Sequence, residues 1–216
     1  SSTGNDLVIK YTPTGAFDKV LIDRGLRHPA GLAFGPDGYL YVVSRDNDRV
    51  RRYDPDTGEN LGPVDFGGAG IVAPVDVVFD DRGQMYVCGR VSNNVARIPQ
   101  FGAGEVFVPS GDGGLSGPAQ MAFDHNGNLL VTSTRRGSTL VYEFDPETKE
   151  KVWKQSLDIE DTHDVDLING GTQLLVANMK NYDEESGTND DSIFVYDLRK
   201  DEIVWRWYFR DHYPKD

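Results

Sequence analysis

Four stretches of this chain repeat one another, and no other feature narrows the fold as much. They read PAGLAFGPDGYLYVVS from Pro29, PVDVVFDDRGQMYVCG from Pro74, PAQMAFDHNGNLLVTS from Pro118 and HDVDLINGGTQLLVAN from His163. Their apolar anchors Phe34, Phe79, Phe123 and Ile168 stand 45, 44 and 45 residues apart. A period of roughly 40–50 residues made of short strands marks a β-propeller, in which each repeat forms one four-stranded antiparallel blade.

Each repeat reads the same way. A first strand ends at the anchor, and a Gly-containing turn follows: GPDG, DDRG, DHNG and the variant NGGT. Gly supplies a positive φ there, and Asp or Asn bonds its own backbone. The second strand is a near-continuous apolar run (YLYVV, QMYVC, NLLVT, QLLVA), the pattern of a strand buried on both faces. A polar loop leads to a third strand: RVRRYD, NVARIP, TLVYEFD or SIFVYD. A second turn, such as DPDTGE or DPETKE, leads to an edge strand: VFVPS, VWKQS or IVWRWYF. The N-terminal piece fits the last half of this template, with strands at Leu7 to Thr12 and Phe17 to Ile22. The expected division is a half blade over 1–28 and blades over 29–73, 74–117, 118–161 and 162–216. That makes 18 strands, or four and a half blades, where five blades need 20. The ring is open, or another chain supplies two strands, or the chain is part of a larger propeller. An open edge invites self-association there, or through the last blade.

Net charge is −13, which argues against nucleic-acid binding, since that needs a basic face. The acid is Asp-rich and the base Arg-rich, which fits a salt-adapted surface as well as simple solubility. Both a secreted location and the cytoplasm of a salt-adapted organism fit this balance. No apolar run approaches the roughly 18 residues that span a bilayer, so no membrane association is expected. The chain starts at Ser1 with no charged-then-apolar leader, which reads as a processed or trimmed product. Cys88, the one cysteine, sits in the apolar run MYVC and reads as a core residue.

The segment RHPAGLAFGPDGYLYVVSRDNDRVRRYDPDTGE closely resembles an NHL repeat, and the likeness continues through about residue 160. That resemblance implies six-bladed lactonases, lyases and protein-interaction platforms as relatives. The last blade resembles those of arylsulfotransferase-like propellers, particularly of halophilic archaea. His163-Asp164-Val165 matches the element that opens their inner strand, and Trp205-Arg206-Trp207 the element that ends the blade. The change of style between third and fourth blades fits natural divergence as well as an engineered joining of two propeller fragments.

Antiparallel order places the start of each first strand and the end of each second strand at one end of the blades. Asp76, Gln120 and His163 open inner strands, with Gly31 in the first blade. Arg45, Arg90, Arg135 and Lys180 follow second strands, each 45 residues after the last. One reading is a ring of cations that holds a small anionic ligand at the channel mouth, with His163 as nucleophile or acid–base group. The other is that these cations pair with neighbours such as Asp46, Asp48 and Asp76. The acidic loop YDEESGTNDDS offers calcium oxygens from Glu184, Glu185, Asp190 and Asp191, and reads equally as a solvated surface. No other cofactor is expected. Trp205 and Trp207 share one face of an outer strand and suit blade packing or a partner surface. The expected function is a non-catalytic scaffold or ligand-binding propeller. The alternative is an arylsulfotransferase-like, lactonase-like or lyase-like enzyme with its anion site around His163.

Overall fold

A computed structural model describes residues 1–2, 4–100, 102–135, 138–156, 162–169, 172–178 and 192–208. It contains 18 strands among the described residues and two short 3-10 turns. The fold is an all-β propeller of four-stranded antiparallel blades.

Strands β1 (Val8–Tyr11) and β2 (Phe17–Ile22) form a two-stranded sheet. Strands β3 (Pro29–Phe34), β4 (Leu40–Ser44), β5 (Arg49–Tyr53) and β6 (Asn60–Pro63) make the first full blade. Strands β7 (Pro74–Phe79), β8 (Met85–Gly89), β9 (Asn94–Ile98) and β10 (Glu105–Val108) make the second. The third holds β11 (Pro118–Phe123), β12 (Leu129–Arg135), β13 (Ser138–Phe144) and β14 (Lys151–Ser156). The fourth holds β15 (Thr162–Ile168), β16 (Gln173–Asn178), β17 (Ser192–Asp197) and β18 (Glu202–Tyr208). In every sheet the strands pair in chain order.

The turns form as their residues dictate. In DDRG, Asp80 Oδ1 accepts from the main-chain N–H of Arg82 and Gln84, and Gly83 takes φ +77°. In DHNG, Asp124 Oδ1 accepts from Asn126 and Asn128, and Gly127 takes φ +84°. The second turns share another pattern. Asp54, Asp145 and Asp197 each accept two main-chain N–H groups two and three residues on. For Asp54 and Asp145 the donated main-chain bonds are the leading cause that holds the carboxyl below its usual range. For Asp197 the leading cause is the Gln173 amide, followed by the turn's own N–H groups.

The chain divides into two compact units, Ser1–Pro118 and Ala119–Asp216. In the first unit, second strands carry the core: Val42 and Val43 of β4 and Tyr86, Val87 and Cys88 of β8 are wholly buried. One cluster joins the first two blades through Val43, Val50, Val77, Val87 and Ala96. Another seats the two-stranded sheet on the first blade through Val8, Ile22, Leu40, Val42 and Tyr53. In the second unit, Leu130 and Val141 pack on Leu174, Val176, Phe194 and Tyr196. The apolar character of the second strands thus serves packing between neighbouring blades. On the outer strand β18, Ile203, Val204 and Trp205 are exposed, while Trp207 is half-buried.

Candidate functional site

The ends of the blades where Arg45 and Arg90 lie are tied together by hydrogen bonds that recur along the chain. Asp6 Oδ1 accepts from the His28 N–H at 2.7 Å. Asp48 Oδ1 accepts from Ala73 N–H at 2.7 Å, and Asn93 Oδ1 from Gly117 N–H at 2.7 Å. Asp6, Asp48 and Asn93 all adopt left-handed φ of 51–56°, a region open to Asp and Asn. Each acceptor precedes a third strand, and each donor precedes the proline that starts the next first strand. The first two clasp the half blade to the first blade and the first blade to the second, and the third holds the end of the first unit at Gly117. The acceptor and donor lie 22–25 residues apart, so the sequence reading missed the set. Its signal was an Asp or Asn ahead of β1, β5 and β9.

Arg45 and His28 converge on Asp46. Arg45 Nε donates to Oδ1 at 3.2 Å, and His28 Nδ1 lies 3.2 Å from Oδ2. Partial desolvation raises the Asp46 carboxyl, but the bonds from Arg45 and His28 outweigh it and hold it below its usual range. Arg90 is exposed, and its side chain makes no ion pair among the described residues.

Asp76 is buried beside Gly31 and Cys88. A Cβ on Gly31 would stand 2.3 Å from Asp76 Oδ1, so only glycine admits this carboxylate. Asp76 Oδ1 accepts from the Val77 N–H at 2.9 Å. The strand register breaks here, between Pro74 and Asp76, and at the matching places in the first and fourth blades. Such bulges re-aim side chains at the rims of sheets. Burial, then the Asp76 charge, push the Cys88 thiol well above its usual range, which makes it a poor nucleophile.

Gln120 lies in the second unit, where its main chain is held by Thr132 Oγ1. The side chains of Arg135 and His163 lie outside the described residues. So do Lys180 and the calcium candidates Glu184, Glu185, Asp190 and Asp191. Among the described residues no cluster of three His, Cys, Asp or Glu side chains has metal-binding geometry. No helix among them is long and apolar enough to cross a membrane.

The opposite, turn-bearing ends of the first two blades line a half-open cavity of about 400 Å³. Tyr41 and Phe79 meet edge-to-face there, with centroids 4.9 Å apart. The Tyr41 hydroxyl donates to Asp37 Oδ2 at 2.9 Å, and Arg52 Nη1 lies 3.5 Å from the same oxygen. Burial, then the bond to Asp37, raise the Tyr41 hydroxyl above its usual range. The guanidinium also sits 5.1 Å from the centroid of the Tyr39 ring. The sequence reading weighed only the loop ends and so passed over these residues, although Asp37 was visible in the turn GPDG.

The chain is similar in structure to several solved propellers, all at low identity. Hydrazine synthase of Kuenenia stuttgartiensis shares 17% identity at a TM-score of 0.72, over 97% of this chain and 62% of that one. A catalytically inactive virginiamycin B lyase from Staphylococcus aureus, bound to quinupristin, shares 14% at 0.65, over 93% and 62%. A chain of a nidogen–laminin complex shares 17% at 0.69, over 91% and 70%. The chain thus spans less than two thirds of the first of these. No curated protein matches it. A family model described as outer membrane protein assembly factor BamB matches residues 16–215, across both the NHL-like segments and the divergent last blade. The chain belongs to that BamB-type propeller family.

Proposed function

We propose that this protein is a non-catalytic propeller that binds a partner or small ligand. The observation that carries this reading is the employment of polar groups at the loop ends of the first unit. Asp6 and Asp48 clasp successive blades, Asn93 holds the Gly117 N–H, and Arg45 and His28 share Asp46. Groups committed in this way hold main chain in place and are poorly placed to take part in turnover. The family description names an assembly factor, and the nidogen–laminin neighbour is solved as a complex, which favour a binding role. The same proposal includes self-association through β18, where Trp205 is 50% exposed on an outer strand.

A second reading has one specific support. Structural neighbours include virginiamycin B lyase, one of them inactivated at a histidine. Under this reading His163 acts on a substrate whose anionic group is held by Arg45, Arg90, Arg135 and Lys180, with Asp76 and Gln120 beside it. The substrate is an aryl sulfate, whose sulfate the cations hold, or a lactone, whose developing carboxylate they hold. The two readings separate in one experiment. Turnover of p-nitrophenyl sulfate with phenol as acceptor, of a lactone and of quinupristin is followed with the native chain and with His163→Ala. The binding reading expects both to match the uncatalysed rate. A native rate well above background that His163→Ala abolishes would install the enzyme instead.

A further inference from the structure

The first two blades build one side-chain arrangement from matching positions, and only the second completes it. In the second blade Tyr86 and Arg97 face each other across β8 and β9. Glu105 of β10 stands opposite Arg97 and accepts from its Nε at 2.9 Å. Two residues on, the Phe107 ring lies 5.5 Å from the guanidinium and 5.2 Å from the Tyr86 ring. The fourth strand thus gives this arginine both a carboxylate and an aromatic ring.

In the first blade Tyr41 and Arg52 pair in the same way across β4 and β5. Opposite Arg52 on β6 stands Gly62. Val64, whose N–H donates to the Val50 carbonyl, holds the place of Val108. Phe107 is the extra residue of a bulge between Val106 and Val108, so it has no counterpart in the first blade. Gly62 has no side chain where the second blade has Glu105, and beside it Val64 offers no ring. Both line the cavity. Space that the second blade fills with its own carboxylate and ring is empty in the first.

Arg52 keeps hydrogen-bonding capacity to spend there. Its ion pair among the described residues is the long 3.5 Å contact with Asp37. A guanidinium has five N–H donors in a planar fork. Asp37 is occupied in turn by the Tyr41 hydroxyl and the Tyr39 N–H. Tyr41 and Phe79 give the cavity an aromatic wall, and its volume lies within the roughly 300–1,000 Å³ of small-molecule sites.

We infer that this cavity binds a carboxylate carried on an aromatic body, with Arg52 taking the carboxylate and Tyr41 and Phe79 taking the ring. The ligand supplies from outside what Glu105 and Phe107 supply from within. The ligand is a free aromatic acid or the C-terminal residue of a polypeptide. The site is independent of any role for His163, because every residue that lines it belongs to the first unit.

Isothermal titration of the whole chain tests this. The ligands are N-acetylphenylalanine and a peptide ending in phenylalanine, each as free acid and as amide. A free acid binds, and its amide binds about ten-fold or more weakly, because the charge-assisted bonds are lost. Arg52→Gln loses affinity by about ten-fold or more at an unchanged melting temperature. Val64→Phe puts a ring on the cavity wall and abolishes binding. Binding of both acids marks a small-molecule site, and binding of the peptide acid alone marks a chain-terminus site. Equal affinity for acid and amide, undiminished affinity in Arg52→Gln, or no heat from any of the four ligands at millimolar concentration overturns the inference.

Discussion

The first and second blades share their strand order and the tyrosine–arginine pair at their centre, yet they differ on the fourth strand. The second ends in EVFV, whose Glu105 and Phe107 close over Arg97. The first ends in NLGP, which leaves Arg52 at the edge of a cavity. The inner strands are constrained because both of their faces pack against neighbouring blades. The outer strand is under less constraint, so one copy of the repeat has filled a space that the other holds open. A filled space stabilises, and an open one with spare donors can bind.

The largest break in this comparison is Phe107→Ala. Phe107 is 1% exposed, so its loss costs roughly 3–5 kcal/mol, read as a fall in unfolding free energy by urea titration. Val64→Ala, beside the cavity of the first blade, costs about 1 kcal/mol, since Val64 is half-buried there. Equal losses would mean that the two positions pack alike. Glu105→Gln comes next, at about 1 kcal/mol, because the carboxylate it replaces is partly solvated. The same measurement checks it.

A pH titration sharpens the difference between the two tyrosines. Burial chiefly raises the Tyr86 hydroxyl to about 12. The folded state therefore favours the neutral phenol. That contribution to stability is complete below the ordinary tyrosine value near 10 and is lost as pH rises through about 12. Tyr86→Phe removes this alkaline loss, as followed by phenolate absorbance and unfolding free energy between those values. Burial chiefly raises Tyr41 too, so Tyr41→Phe also flattens the alkaline limb. The smallest effect is that of Val64→Phe on stability, within about 1 kcal/mol of native, because a ring entering a cavity gains contacts without expelling a packed group.

Much of the fold was legible in the sequence. Strand β2 runs from Phe17 to Ile22 as the pattern predicts, and β1 is one residue shorter at each end than the predicted Leu7 to Thr12. The turns were readable because an Asp that bonds N–H groups two to four residues on is a local event. Strand β6 gave no such signal. Its Gly62 and Pro63 are poor strand formers, and pairing with β5 holds them. The sequence reading looked for a site among cations spaced at 45 residues. The structure draws Arg45 to Asp46 and leaves Arg90 exposed. The cavity was not readable, because no single residue announces it. It depends on Gly62 and Val64 failing to fill a space that only the matching second blade makes visible.

The sequence by itself determined the period, the strands and the turns, because those depend on residues within a few positions of one another. The tertiary structure decided which polar groups were left to act. Asp48 was one more surface carboxylate until it reached the Ala73 N–H of the next blade. Gly31 was one more glycine until Asp76 came within reach of its missing Cβ. Those contacts arise between repeats, where packing sets the distance, and a repeat read alone carries no record of its neighbour.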